Sequence, residues 1–203
     1  MRVIAKHLGT VEFGENTFVT DPGNLEHPEE ILGKVEIPTT PGLYDVYIIY
    51  GIDGEYKQQP VSLIAVSIDC SFHYGEFPIV GWAPVDSGKI GFFDKEFRKD
   101  YPDFEKFFEG EVAKHSYNTF EFGAFCSFGD GYYPVTISRE DEEVTAIQVD
   151  FAYWIDNDHH VHFHEYDIED FLDNETDIWD IDLSDYDDDD YDPDEDDDLP
   201  EQY

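Results

Sequence analysis

The acidic C-terminal run places the strongest limit on how this chain can fold. From Glu165 to Tyr203 the sequence contains no Lys or Arg, and most residues after Ser184 are Asp. Repulsion between like charges and the scarcity of apolar side chains prevent such a segment from burying a core. We therefore predict a β-rich globular domain over residues 1–164, an acidic-hydrophobic segment over 165–183 and a disordered acidic tail over 184–203.

The charge of the whole chain restricts its partners. The sequence has 50 acidic and 11 basic residues, a formal net charge of −39. Binding to nucleic-acid phosphates requires Lys and Arg that displace counterions, so direct binding to nucleic acid is excluded. The same charge attracts a basic protein surface and accelerates encounter with it. General solubility, or adaptation to high salt, is the alternative explanation of the acidity.

The cysteines and the apolar runs indicate a cytoplasmic protein. Cys70 and Cys126 form no CxxC pair and lie in apolar segments, so we expect two free, partly buried thiols. The N-terminus has no apolar core long enough for a signal peptide. No apolar run reaches the length that crosses a bilayer, so we expect no membrane partner.

The globular part is predicted to consist mostly of strands. Runs rich in β-branched and aromatic residues end at turn signals and indicate strands over Thr17–Thr20, Leu43–Tyr50 and Val61–Asp69. The last of these is apolar on both faces, which is typical of a central strand. The clearest hairpin spans Tyr132–Phe151, and shorter strands are expected over residues 152–155 and 160–164.

Phenylalanines at helical spacing between Asp94 and Gly110 interrupt this pattern. We expect one or two short helices there, with an aromatic face packed on the sheet. The predicted fold is therefore α+β, mainly an antiparallel β sheet or sandwich with one or two short helices.

Four segments carry a resemblance to a known family. They are residues 19–23 (VTDPG), 85–94 (VDSGKIGFFD), 129–135 (GDGYYPV) and 147–151 (IQVDF). In this order they resemble an uncharacterised family of small phage and bacterial proteins, a domain of unknown function, over roughly Phe18 to Phe151. The resemblance implies a fold and a phage or bacterial setting, with the host cytoplasm as the place of action. Many phage members have Cys where this chain has Gly23, so no role for that thiol carries over.

The family-like segments also contain candidate site residues. These are Asp21, Asp86, Ser87, Asp94 and Asp130. Carboxylates on turns that converge in space can bind a divalent cation through hard oxygen ligands. The alternative is that these side chains cap turns through their own hydrogen bonds.

A histidine-rich strand is the second candidate metal site. His160, His162 and His164 alternate, so they share one face of a strand. Imidazoles at i and i+2 can chelate Zn²⁺ or Ni²⁺, with Asp158 or Glu165 completing the site. The alternative is a solvated edge strand whose histidines reduce the local negative charge. The terminal acids lack the Gly of an EF-hand loop, so we expect weak, unselective binding of divalent cations and no firmly held cofactor.

The acidic-hydrophobic segment supplies the candidate partner-binding residues. Acidic runs that contain isolated apolar residues are typical of disordered interaction segments. The anchors would be Trp179, Ile181, Leu183 and exposed aromatic residues of the body, and the steering charges Asp187, Asp188, Asp189 and Asp190. The alternative is that residues 168–183 pack back on the body as a last helix or strand.

The favoured function is a nucleic-acid mimic. It would be an acidic phage-type accessory protein that binds and inhibits a basic, nucleic-acid-handling host protein, as an anti-defence factor for example. P-loop, GxGxxG, HExxH and GxSxG motifs are absent, which weakens the case for an enzyme. A metal-dependent hydrolase or small-ligand-binding protein is one alternative, and a virion or scaffold component is the other.

Overall fold

The computed structural model describes residues 1–26, 33–70, 77–97 and 103–164, together with the backbone of residues 167–172. These residues form strands β1 (Arg2–Phe13), β2 (Asn16–Thr20), β3 (Lys34–Pro38), β4 (Gly42–Gly51), β5 (Pro60–Ser67), β6 (Ile79–Val85), β7 (Lys89–Asp94), β8 (Tyr117–Phe120), β9 (Gly123–Ser127), β10 (Gly131–Glu140), β11 (Glu143–Asp150), β12 (Tyr153–Ile155), β13 (Val161–Phe163) and β14 (Asp167–Leu172). One α-helical turn, α1 (Phe104–Phe107), precedes a π-helical turn over Phe108–Val112. The predicted fold class, mainly antiparallel β with one short helix, is confirmed.

Two sheets hold most of the strands. The larger has the order β14-β1-β4-β5-β11-β10-β6, and the smaller has the order β3-β2-β7-β9-β8. Among the described strands all the pairings are antiparallel except that of β14 with β1. Strands β12 and β13 form a separate two-stranded hairpin. The pairing of β14 brings part of the predicted acidic-hydrophobic segment into the large sheet, which agrees with the alternative of packing back on the body.

The central strand follows from its sequence. β5 lies between β4 and β11, as its two apolar faces predict. Leu63 and Ala65 on one face belong to the main core, whereas Ile64 and Val66 on the other belong to a second cluster with Ile49. Alternation of side chains across a strand produces this division.

The main core lies between the two sheets. It combines side chains of the large sheet, such as Val46 and Ile147, with Val19, Phe92 and Cys126 of the small sheet, and all of these are buried. A side chain at Gly81 of β6 would place its Cβ 2.8 Å from Cγ1 of Val35 in β3, so a close approach of the sheets requires glycine there. Face-to-face packing of this kind defines a β-sandwich. Both cysteines are free, as predicted, and Cys126 is buried.

The phenylalanine-rich segment forms a core cluster beside the small sheet. Phe97 and Phe107 pack against Phe93 and Phe125, with ring centroids of Phe97 and Phe107 5.1 Å apart. The side chain of Asp103 accepts a hydrogen bond from the backbone N–H of Lys106 and caps α1. The aromatic face predicted from the spacing is therefore core. Residues 98–102, which include Tyr101 and Pro102, lie outside the described residues.

The Tyr44 hydroxyl joins the large sheet to a loop within the core. It donates to the carbonyl oxygens of Thr40 (2.9 Å) and Val144 (3.1 Å). The side chain is fully buried, and burial raises the pKa of Tyr44 to about 12.

We expect Tyr44→Phe to lower the free energy of unfolding by about 1–2 kcal/mol, because a buried hydrogen-bonded hydroxyl is lost. Urea unfolding measures this, with the exposed Tyr132→Phe as control; equal effects of the two changes would contradict the assignment.

Candidate functional site

The carboxylate of Asp21 joins two of the family-like segments. Oδ1 accepts hydrogen bonds from the Gly23 N–H (2.7 Å) and the Ser87 hydroxyl (2.7 Å). Oδ2 accepts from the backbone N–H groups of Asp86 (2.8 Å) and Ser87 (2.7 Å). A carboxylate offers about four lone-pair sites, and each is occupied here. In this geometry Asp21 acts as a buried structural acceptor, as the turn-capping alternative predicts.

The same end of the sandwich contains two crossings between the sheets. Residues 86–88 carry the chain from β6 in the large sheet to β7 in the small one, and residues 128–130 carry it back from β9 to β10. The Phe128 N–H donates to the Gly88 carbonyl at 2.9 Å. The Tyr133 hydroxyl donates to the carbonyl oxygens of Gly129 and Asp130, and burial raises the pKa of Tyr133 to about 12.

Asp94 lies at the other end of β7. Its carboxylate accepts hydrogen bonds from the backbone N–H groups of Gly14 (2.6 Å) and Glu96 (2.7 Å). Gly14 lies in the connection from β1 to β2, which also passes between the sheets. The structure thus brings Asp21, Asp86, Ser87 and Asp130 together and separates Asp94 from them by the length of a strand. The two buried carboxylates each support a crossing.

The histidine-rich strand forms a hairpin around a different carboxylate. Oδ1 of Asp156 accepts from the backbone N–H groups of Asp158 (2.9 Å) and His160 (2.8 Å). Its Oδ2 lies 2.8 Å from Nε2 of His162. The hydrogen bond from His162, followed by that from His160, lowers the pKa of Asp156. His164 contacts the ring of Tyr56 instead, with centroids 5.5 Å apart.

The predicted shared face is therefore divided between two environments. In the described part of the chain no group of three or more His, Cys, Asp or Glu side chains has an arrangement that could hold a metal ion. Binding of Zn²⁺ or Ni²⁺ by His160, His162 and His164 stays a prediction.

Trp154 is held in place by this hairpin. It pairs across the strands with His162, and the two rings stack with centroids 4.1 Å apart and planes 12° apart. Nearly half of its surface remains exposed. The Asp156 carboxylate fixes His162, and His162 in turn fixes the indole.

Two exposed aromatic residues, Trp82 and Tyr132, lie on the outer face of the large sheet, and the half-buried Tyr153 of β12 contacts both. We call Trp82, Tyr132 and Tyr153 the aromatic surface. The rings of Trp82 and Tyr153 meet edge to face at 5.6 Å, and the Tyr153 hydroxyl donates to the Tyr132 carbonyl. Trp82 is 37% and Tyr132 67% exposed. The sequence did not identify these residues, because β6 is apolar along its whole length and only the sheet packing shows which face is covered.

The remaining predicted site residues belong to the acidic-hydrophobic segment and the acidic tail. Trp179, Ile181 and Leu183, and the acids Asp187, Asp188, Asp189 and Asp190, lie outside the described residues. Their roles in partner binding stay predictions.

Asp21→Asn is expected to destabilise the fold strongly. The amide keeps the size of the carboxylate but has a single acceptor oxygen, so two of the four donors lose their acceptor. We expect the free energy of unfolding to fall by about 1.5–3 kcal/mol, the range for a hydrogen bond to a charged group. Urea unfolding measures the loss. The control is Asp86→Asn, an exposed carboxylate in the same turn, and a loss of the same size there would contradict the role of Asp21.

Asp156→Ala is expected to release Trp154. Because three donors lose their acceptor, contacts between the Trp154 and His162 rings should disappear from nuclear Overhauser spectra, whereas Asp158→Ala should preserve them.

The lowered pKa of Asp156 also predicts how the contact between the Trp154 and His162 rings depends on pH. The ionised form is favoured in the folded state, so the contacts should persist near pH 4, the ordinary aspartate range, and be lost only at lower pH. Loss of the contacts well above pH 4 would contradict this assignment.

Comparisons with known proteins identified no relative of this chain. No protein-family model, no curated protein and no solved structure matches this chain. Among the described residues, no helix combines the length and apolar character that a membrane span requires.

Proposed function

We propose that this protein binds a basic protein surface through its acidic surface. In a phage or bacterial setting the partner would be a nucleic-acid-handling host protein, which the protein would inhibit by occupying the site that otherwise receives nucleic-acid phosphates. The observation that carries the proposal is the charge of the exposed surface. A partner rich in Lys and Arg is the class of protein that such a surface attracts and orients.

The exposed surface of the described residues is poor in positive charge. Its exposed basic side chains are Lys57, Lys95, Lys106, Lys114 and Arg139. Lys95 already pairs with Glu36 at 2.7 Å. By contrast, the turn between β10 and β11 presents four consecutive exposed acids over residues 140–143. The negative charge is therefore not balanced within the surface, and it extends over the body as well as the tail.

Two other cations are turned inward or compensated. Nζ of Lys89 donates to the carbonyl oxygens of Val112 and His115, both at 2.6 Å, and burial lowers the pKa of Lys89. Arg2 pairs with Asp53 at 3.0 Å. These contacts further reduce the positive charge that a partner would meet.

The geometry of the family-like segments supports binding over catalysis. A hydrolase needs a carboxylate that can reach a metal, a water or a substrate. The oxygens of Asp21 are occupied by four donors within the fold, and Asp94 is likewise buried with two backbone donors. Asp86, Ser87 and Asp130 surround this buried acceptor in exposed turns. Stability therefore explains the buried carboxylates of Asp21 and Asp94, whereas those of Asp86 and Asp130 remain exposed.

The proposal assigns the tail a steering role. Asp187, Asp188, Asp189 and Asp190 would attract the partner at long range, while Trp179, Ile181 and Leu183 would anchor it. Charge steering of this kind acts on the rate of association and weakens as salt rises.

Affinity capture from a cytoplasmic extract of the host tests the proposal. The bait is the full chain, compared with a full-length variant in which Asp187, Asp188, Asp189 and Asp190 are replaced by Asn. We expect the natural chain to retain a basic nucleic-acid-binding enzyme, to release it as salt rises, and to inhibit it in an activity assay with the purified enzyme. The variant should bind several-fold more weakly at low salt, because it lacks four charges.

Two results would contradict the proposal. If neither bait retains a basic protein at low salt, the binding function is contradicted. Retention without inhibition of the purified enzyme would remove the mimicry of nucleic acid. If retention does not change with salt or with the four substitutions, the tail has no steering role.

A further inference from the structure

We infer that the aromatic surface, together with the adjoining carboxylates of Asp86 and Asp130, is the place where an arginine side chain of the partner docks. This inference rests on the proposed function and names the part of the body that makes the specific contact. The occupant is the guanidinium of an arginine on a basic protein.

The strand register places the aromatic and acidic residues together. Trp82 pairs with Pro134, and Tyr132 pairs with Pro84, so Trp82 and Tyr132 occupy diagonal positions of one strand pair. Aromatic side chains at diagonal positions of a sheet are close enough to contact each other. Tyr153 completes the group from the neighbouring hairpin by its contacts with both strands.

The two carboxylates lie at the end of the same strand pair. Val85 pairs with Gly131, so Asp86, directly after β6, and Asp130, directly before β10, are neighbours across the pair. Both are exposed. Oδ1 of Asp130 lies 3.9 Å from the position of a Cβ at Gly88, which shows that the two turns are close. An incoming cation would therefore meet aromatic faces and carboxylates side by side.

Positive charge is missing from this region of the chain. Residues 77–88, 128–138 and 151–164 contain no Lys or Arg. No cation of these segments therefore covers the aromatic surface or pairs with the carboxylates beside it.

Arginine fits this combination better than lysine. Its planar guanidinium stacks on aromatic rings and bonds carboxylates in a bidentate way. The lysine ammonium is a compact, strongly hydrated charge that gains less from the ring faces. A preference for arginine therefore separates docking at this surface from diffuse attraction to the acidic tail, which would bind both cations similarly.

Calorimetric titration of the full chain with an oligoarginine peptide and an oligolysine peptide of equal length tests the inference. The measurement is made at about 0.15 M salt, where the Debye length is about 8 Å and long-range attraction is reduced. We expect the natural chain to bind oligoarginine about tenfold more tightly than oligolysine. Trp82→Ala, and Asp86→Asn combined with Asp130→Asn, should each abolish most of this preference.

Trp154→Ala is the matched control. It removes an exposed tryptophan that lies outside the aromatic surface, and the preference for arginine should remain. Indole signals of the natural chain give a readout that needs no variant: oligoarginine should shift the Trp82 signal and leave the Trp154 signal in place.

Each outcome has a distinct meaning. If neither peptide binds, the proposed function itself fails, because the chain does not attract a basic segment. If both bind equally, and Trp82→Ala changes nothing, the chain binds cations by diffuse charge and the inference fails while the proposed function stands. If the chain self-associates and Trp82→Ala makes it monomeric, a second copy occupies the aromatic surface and the inference is overturned.

Discussion

The hydrogen bonds of the Asp21 carboxylate are the interaction on which the arrangement of the two sheets depends. A sandwich needs segments in which the chain leaves one sheet and enters the other, and the backbone N–H groups in these segments have no ladder partner. Asp21 supplies acceptors to two such N–H groups, those of Asp86 and Ser87, and also to the Ser87 hydroxyl and to the N–H of Gly23 in the turn after β2. Burying a carboxylate is unfavourable unless donors surround it, and here the crossing itself provides the donors.

This support also determines the shape of the outer surface. The crossing after β6 and the crossing before β10 are joined at Gly88 and Phe128, so the ends of the two strands are held together. As a result, Trp82 and Tyr132 lie on one face and Asp86 and Asp130 lie at its end. The carboxylates of the chain thus have two roles. Those that are buried stabilise the fold, whereas those that are exposed create the negative field that the proposed partner would meet.

The elements of the fold that depend on residues close together in the sequence could be predicted. The hairpin of β10 and β11 and the central position of β5 follow from alternation, from two-sided apolarity and from turn residues. β1 is harder to predict, because its pattern is interrupted at Gly9, where a side chain would meet the Thr119 hydroxyl of β8 at 2.9 Å. The cause of that irregularity is Thr119, which lies more than a hundred positions away in the sequence. The pairing of β14 with β1 likewise joins residues far apart in the sequence, such as Arg2 and Asp167.

The sequence by itself determined the fold class, the aromatic core beside the small sheet, the free thiols and the strongly negative charge. These properties follow from composition and local periodicity. Only the tertiary structure decided which acidic residues are structural and which are exposed, because Asp21 and Asp86 look alike in the sequence and differ only in the donors that surround them. It also decided which aromatic residues face solvent. Trp82 is exposed because it lies on the outer face of its strand, whereas Phe92 is buried between two sheets that the sequence alone does not bring together.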